Sequence, residues 1–157
     1  DDIWMPEKLT LQLGFMEQKE ALLSSTSYEL IDETGKPMKK VIRCLPVQNY
    51  HKFLRNTNIG FSSSVLARET LEGVSFRKMP VAEDNQFWKD VFRKGYTMVG
   101  LDEVLMQYRV QKNSLSSNKL KSAVQIWKSY RRTEKFNLIP SLYYIICYAF
   151  NAIKKRL

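Results

Sequence analysis

The chain has 157 residues, 44 % hydrophobic and 12 % aromatic, enough for one globular domain with a core of its own. It carries a formal net charge of +9 but a single histidine, His51, which excludes zinc sites built on several imidazoles and a Ser-His-Asp triad and leaves His51 as a surface residue. Cys44 and Cys147 lie far apart and form no CxxC pair, and with no leader pattern the expected compartment is the reducing cytoplasm.

In chain order, Pro6 suits the first turn of a helix because its missing N–H has no partner there, and Leu9, Leu13 and Met16 follow at helical spacing, predicting a helix from Pro6 to Glu20. "ALLSSTSYELID" reads as a strand, "ETGKP" as a turn and "MKKVIRCL" as the returning strand. "NTNIGFSSSVLARETL" has a strand-like centre ending near Arg68, with small hydroxylated residues that permit a close approach by another chain or a ligand. "MPVAEDNQFWKDVFRKGY" is the clearest helix: Phe87, Trp88, Val91 and Phe92 share a face, Glu83 and Asp84 stand at its start, and Gly95 closes it. "YTMVGLDEVLMQYRV" reads as two short strands around a bend and "QKNSLSSNK" as a polar loop, before helices over 119–135 and 141–156. Strands mixed with helices predict an α/β fold, a mixed sheet with flanking helices and a helical tail. Trp4 and Trp88 are expected in the core.

Carboxylates at a helix start complement the positive end of the helix dipole, worth about 0.3–1 kcal/mol each, and this alone accounts for Asp1-Asp2 or Glu83-Asp84. The sharper reading divides labour between the pairs. Asp1 or Asp2, as hard oxygen ligands, suit Mg²⁺ or Mn²⁺, which take remaining ligands from water and phosphate. Asp84, on the first turn of a rigid helix, suits a general base.

"DDIWMPEKLTLQ" resembles the second half of the Asp-x-Asp-Asp-x-Trp-x-Pro-x-Lys-Leu motif of family 2 glycosyltransferases, nucleotide-sugar-dependent enzymes of the GT-A (Rossmann-like) fold active in bacterial polysaccharide synthesis. "NTNIGFSSSVLARETL", "AEDNQFWKDVFRKGY" and "YRVQKNSLSSNK" resemble, in order, the family's acceptor-side strand, its Glu-Asp helix and its closing Tyr-Arg loop. The resemblance covers nearly all of residues 1–118. It implies that Asp1 binds the metal with Asp2 beside it, and that Asp84 takes the proton from an acceptor hydroxyl in an inverting displacement. Glu83 is implied to orient the acceptor or the Asp84 neighbourhood, with a simple helix-start acid as the alternative, and Arg109 to approach the diphosphate, with structural pairing to a surface carboxylate as the alternative. Gln111 stands where many relatives carry a histidine, so a metal contact from that loop is not expected. The chain opens inside the motif, predicting the C-terminal part of a longer enzyme, a truncated GT-A domain without the strands that hold the nucleotide. The fragment alone is then expected to be inactive.

The charge divides unevenly: up to Asn118 sixteen Lys and Arg face fifteen Asp and Glu, whereas from Lys119 nine bases face Glu134 alone, a balance of +8. The body lacks the basic stripe interleaved with aromatics that nucleic-acid binding calls for, and no nucleic-acid partner is expected. Within the tail, Leu138 to Ile153 is 16 residues interrupted by Pro140, Ser141 and Asn151, short of the roughly 20 that span a bilayer. Its tyrosines and the KKR that follows suit a helix lying at a membrane interface, with packing against the body as the alternative. The expected whole is a domain over 1–118 and a basic tail over 119–157, peripheral on the inner face of the cell membrane, using a nucleotide-sugar donor and a glycan or lipid-linked acceptor. The rival is a non-catalytic basic module that binds a membrane or a protein through its C-terminal helices.

Overall fold

In the computed structural model, which describes residues 1–57, 59–76, 83–111 and 119–154, the most thoroughly covered segment is a strand whose first half is rich in small hydroxylated residues. This is β2, Leu23–Ile31, in which every residue from Leu23 to Tyr28 is buried. Small side chains let neighbours close over both faces, and buried hydroxyls then need partners. Ser24 Oγ accepts from Gln12 Nε2 at 2.8 Å, while Ser27 Oγ donates to Asp102 at 2.5 Å and accepts from the Cys44 N–H at 3.0 Å.

Among the described residues the sheet has six strands in a mixed arrangement. β6, Met98–Arg109, runs parallel to β2, with Ser24 opposite Val99 and Ile31 opposite Arg109. On the outer side of β2 lie two antiparallel strands, β3 (Pro37–Ile42) against its C-terminal half and β5 (Ser64–Leu66) against its N-terminal half. On the outer side of β6, β1 (Ile3–Trp4) and β4 (Val47–Gln48) pair antiparallel at opposite ends. The expected two strands around a bend are therefore one strand, whose register against β2 shifts near Ser27. Gly100, inside this strand, permits a close crossing: a Cβ there would lie 2.1 Å from the Leu45 carbonyl oxygen.

Helices cover this sheet. α1 (Lys8–Gln18) falls where periodicity placed it but turns a different face inward: Lys8, Gln12 and Met16 are buried while Leu9 and Leu13 are exposed. The surface beneath is polar. Lys8 Nζ donates to Gln12 Oε1 at 2.5 Å and to the Ser63 carbonyl at 3.4 Å, and Gln12 Nε2 donates to the same carbonyl at 3.1 Å. The close approach allowed by the small residues of 56–71 is thus made by this chain's own helix. α3 (Glu83–Arg93) packs Phe87, Trp88, Val91 and Phe92 with Leu23, Phe53 and Met98 into the main core, and Gly95 leaves the helix at φ 92°. Trp88 is a core residue as expected, whereas Trp4 is 45 % exposed; its indole donates to the Ser62 carbonyl at 2.8 Å, with Lys8 Nζ 4.4 Å from the ring centroid.

A short helix the sequence pattern did not announce, α2 (Tyr50–Arg55), joins body to tail. Phe53 enters the main core and the adjacent Leu54 a second one, with Ile126, Tyr130 and Tyr144. These come from α4 (Lys119–Lys128), the π turn after it and α5 (Leu138–Lys154), which begins three residues earlier than expected. Beside this seam lies a buried ionic cluster. Glu134 and Lys89, both with 1 % side-chain exposure, stand 3.3 Å apart, and Glu134 also accepts from Arg93 and the Tyr50 hydroxyl. Among the described residues no helix is long and apolar enough to cross a membrane, and both cysteines are free.

Candidate active site

The pairing of β1 with β6, Ile3 opposite Gln107, carries the first two residues alongside the end of β6. Asp2 Oδ1 accepts from the Arg109 N–H at 3.1 Å. The Arg109 side chain then closes the segment: Nε donates to the Asp1 carbonyl at 3.0 Å, and Nη1 to the carbonyls of Asp32 and Glu33 at 3.2 and 3.1 Å. A planar guanidinium can hold several acceptors at once, which suits it to clamp backbone from two segments. The second segment is the turn after β2, ordered by Asp32 Oδ1, which accepts from Thr34 Oγ1 at 2.6 Å and from the N–H groups of Thr34 and Lys36. Those bonds, the Thr34 hydroxyl foremost, hold the Asp32 carboxyl below the usual carboxylate range.

Asp1 is exposed, and its Oδ2 accepts from Gln111 Nε2 at 3.2 Å. The residue standing in the expected histidine position therefore does reach the acid, as an amide donor. Among the described residues no three His, Cys, Asp or Glu side chains gather as a metal site. A hard cation can take only one or two carboxylates from a protein and the rest of its ligands from water or phosphate; Asp1 is an exposed carboxylate that could supply one.

Glu83 and Asp84 are exposed in the first turn of α3, where Asp84 Oδ1 accepts from the neighbouring Asn85 N–H at 2.8 Å. The link between the two acid pairs is Tyr108, a residue quoted in the sequence but given no role there. Its hydroxyl is pushed above the ordinary phenol value by burial first, then by the negative charges of Asp2 and Asp84. The Tyr108 ring lies 5.6 Å from that of Tyr28, whose hydroxyl is raised by burial, by Tyr108 and by Asp2. Asp1, Asp2, Arg109 and Gln111 are thus joined by hydrogen bonds, and the negative charge of Asp84 adds to that of Asp2 at Tyr108. The polar loop expected after Gln111 lies, over 112–118, outside the described residues.

No model of a known protein family matches the chain. It is similar along its whole length to a protein named as a teichuronic acid biosynthesis glycosyltransferase, TuaG of Bacillus subtilis, 35 % identical over 157 residues. Two Escherichia coli proteins named as UDP-Glc:alpha-D-GlcNAc-diphosphoundecaprenol beta-1,3-glucosyltransferases are each 29 % identical: WfaP over 93 % of this chain and WfgD over 99 %. The chain spans 62 %, 58 % and 60 % of these three curated relatives respectively.

Proposed function

We propose that this chain carries the catalytic acids of a bacterial polysaccharide glycosyltransferase of the GT-A type, which moves a sugar from a nucleotide-sugar donor to a hydroxyl of a glycan or lipid-linked acceptor with inversion. The observation that carries the reading is the bonded cluster at the end of β6, where Arg109 holds both Asp2 and the Asp1 backbone, next to Tyr108, whose hydroxyl the charges of Asp2 and Asp84 add to the effect of burial in pushing up. Similarity over 93–100 % of this chain to glycosyltransferases, two of them named for diphosphoundecaprenol-linked acceptors, supports it.

In this reading Asp84 accepts the proton of the acceptor hydroxyl as that oxygen bonds to the anomeric carbon. The bond from that carbon to the diphosphate oxygen breaks on the opposite face, and the electron pair leaves with the nucleoside diphosphate. Asp2 and Glu83 flank the reacting groups, and Arg109 fixes the Asp1-Asp2 backbone while lending positive charge to that end of the site. Asp1 would hold Mg²⁺ or Mn²⁺, which when bound neutralises charge on the departing diphosphate.

Asp84→Asn tests this in the full-length protein. Removing a general base lowers kcat by roughly 10²–10⁴-fold with unchanged circular dichroism, and the wild-type product carries the inverted anomeric configuration. A helix-start acid with no chemical role would lose only about 0.3–1 kcal/mol of stability and keep its turnover; that result overturns the proposal.

A further inference from the structure

α5 has a face packed on the body and, opposite it, an exposed apolar one. Inward it presents Ser141 and Tyr144, and Asn151 Nδ2 donates to the Arg55 carbonyl at 3.0 Å, fixing the helix against the end of α2. Outward, at helical spacing on the opposite side, stand Ile139, Leu142, Tyr143, Ile146 and Phe150, of which Ile139 is 81 %, Ile146 65 % and Phe150 68 % exposed. A contiguous apolar row on the outside of a basic protein marks a contact surface.

The charges around the row say what covers it. Arg55 sits over the Tyr143 ring at 5.6 Å, Arg131 donates to the Phe136 carbonyl just before α5, and Arg132 and Lys135 are exposed in the same connection. The sequence continues past the row with Lys154, Lys155 and Arg156. The tail's one acid, Glu134, has its side chain buried against Lys89 and Arg93 and offers no negative charge to the outside. An apolar row bordered at its edge and its start by bases, on a helix whose described residues are not long and apolar enough to cross a membrane, matches an anionic lipid surface. We propose that the outward face of α5 lies in the interface of an anionic bilayer, with Ile139, Ile146 and Phe150 inserted and Arg55, Arg131 and Lys135 at headgroup level. The proposal stands independently of the transferase reading.

The test is flotation of the full chain with vesicles of phosphatidylethanolamine and phosphatidylglycerol, and with vesicles of phosphatidylcholine alone. The chain is expected to float with the first and stay behind with the second, and to be released by salt. The triple variant Ile139→Glu, Ile146→Glu, Phe150→Glu changes only exposed side chains and is expected to remain folded by circular dichroism and to stay behind. Arg131→Glu with Arg132→Glu, which leaves the row intact, weakens binding about tenfold or more. Failure of the wild type to float, or flotation of the triple variant like the wild type, overturns the proposal. So does a lipid-free dimer, concentration-dependent in sedimentation and abolished by the triple variant, because a second copy then covers the row.

Discussion

Glu134→Gln is the sharpest test of how the tail is fastened to the body. Glutamine keeps the shape of the side chain and can still accept from Arg93 and Tyr50, so the change isolates the charge. Arg93 also pairs with Asp90 at 2.6 Å and is 44 % exposed, so water compensates it. Lys89 has no such recourse: its ammonium is buried, bonded to Ser129 Oγ and 5.9 Å from the Tyr130 ring centroid, and Glu134 is the carboxylate it meets. Leaving one partner of a buried ion pair uncompensated costs about 3–5 kcal/mol; the low end, about 3, applies here because two of three Glu134 contacts survive. With a urea m-value of about 2 kcal/mol per molar, the unfolding midpoint falls by roughly 1.5 M. Adding Lys89→Met removes the stranded cation and recovers part of that loss, since apolar replacement of a buried pair is often neutral. pH gives an independent check. Burial alone would raise the Glu134 carboxyl, but the Tyr50 hydrogen bond and the Lys89 and Arg93 charges outweigh it and hold the group below its ordinary 4.5. A depressed folded value means stabilisation that is complete above 4.5 and lost as pH falls through the folded value. The wild-type midpoint therefore drops in acid, and the variant's drops less. A loss below about 1 kcal/mol, the scale of a surface pair, or a double variant worse than the single one, refutes the reasoning.

Two further outcomes follow from backbone crowding and from the buried lysine. Gly100→Ala places a methyl group 2.1 Å from the Leu45 carbonyl oxygen and 2.9 Å from Cys44 Sγ; overpacking against backbone costs about 2–3 kcal/mol, seen as a fall in Tm of roughly 5–10 °C. Lys8 is pushed down to about 8 by burial, from 10.5 in the unfolded chain, so the unfolded state binds more protons between those values and stability rises with pH there; the difference between wild type and Lys8→Met in urea midpoints measured from pH 7 to 10.5 isolates this rise.

What could be read from sequence was what local pattern decides. α3 was legible because Phe87, Trp88, Val91 and Phe92 repeat at helical spacing and Gly95 ends the helix, and β2 with its turn because Gly35 and Pro37 follow an unbroken strand pattern. α1 was placed correctly but its inner face was not, since the surface beneath it is the Ser63 carbonyl and the Ser24 hydroxyl, polar groups that satisfy Lys8 and Gln12 better than they would a leucine. β1 and β4 are two residues each and exist only through their pairing with β6, and the six residues of α2 carry too little periodicity to register. At the site, the motif resemblance named Asp1, Asp2, Asp84 and Arg109 as candidates but did not foresee that Tyr108 lies within the electrostatic reach of Asp2 and Asp84. That depends on bringing together residues some hundred positions apart, and on an arginine whose guanidinium holds the backbone of Asp1, Asp32 and Glu33.

The central claim, the proposal that Asp2 and Asp84 serve one site, is tested most directly by following the Tyr108 phenol resonance through a pH titration in wild type, Asp84→Asn and Asp2→Asn. Both variants are expected to bring the Tyr108 titration to lower pH, because each removes a negative charge that disfavours the phenolate, while Glu103→Gln leaves it in place. If Asp84→Asn leaves Tyr108 unmoved, Asp84 does not belong to the site of Asp2 and its assignment as general base fails.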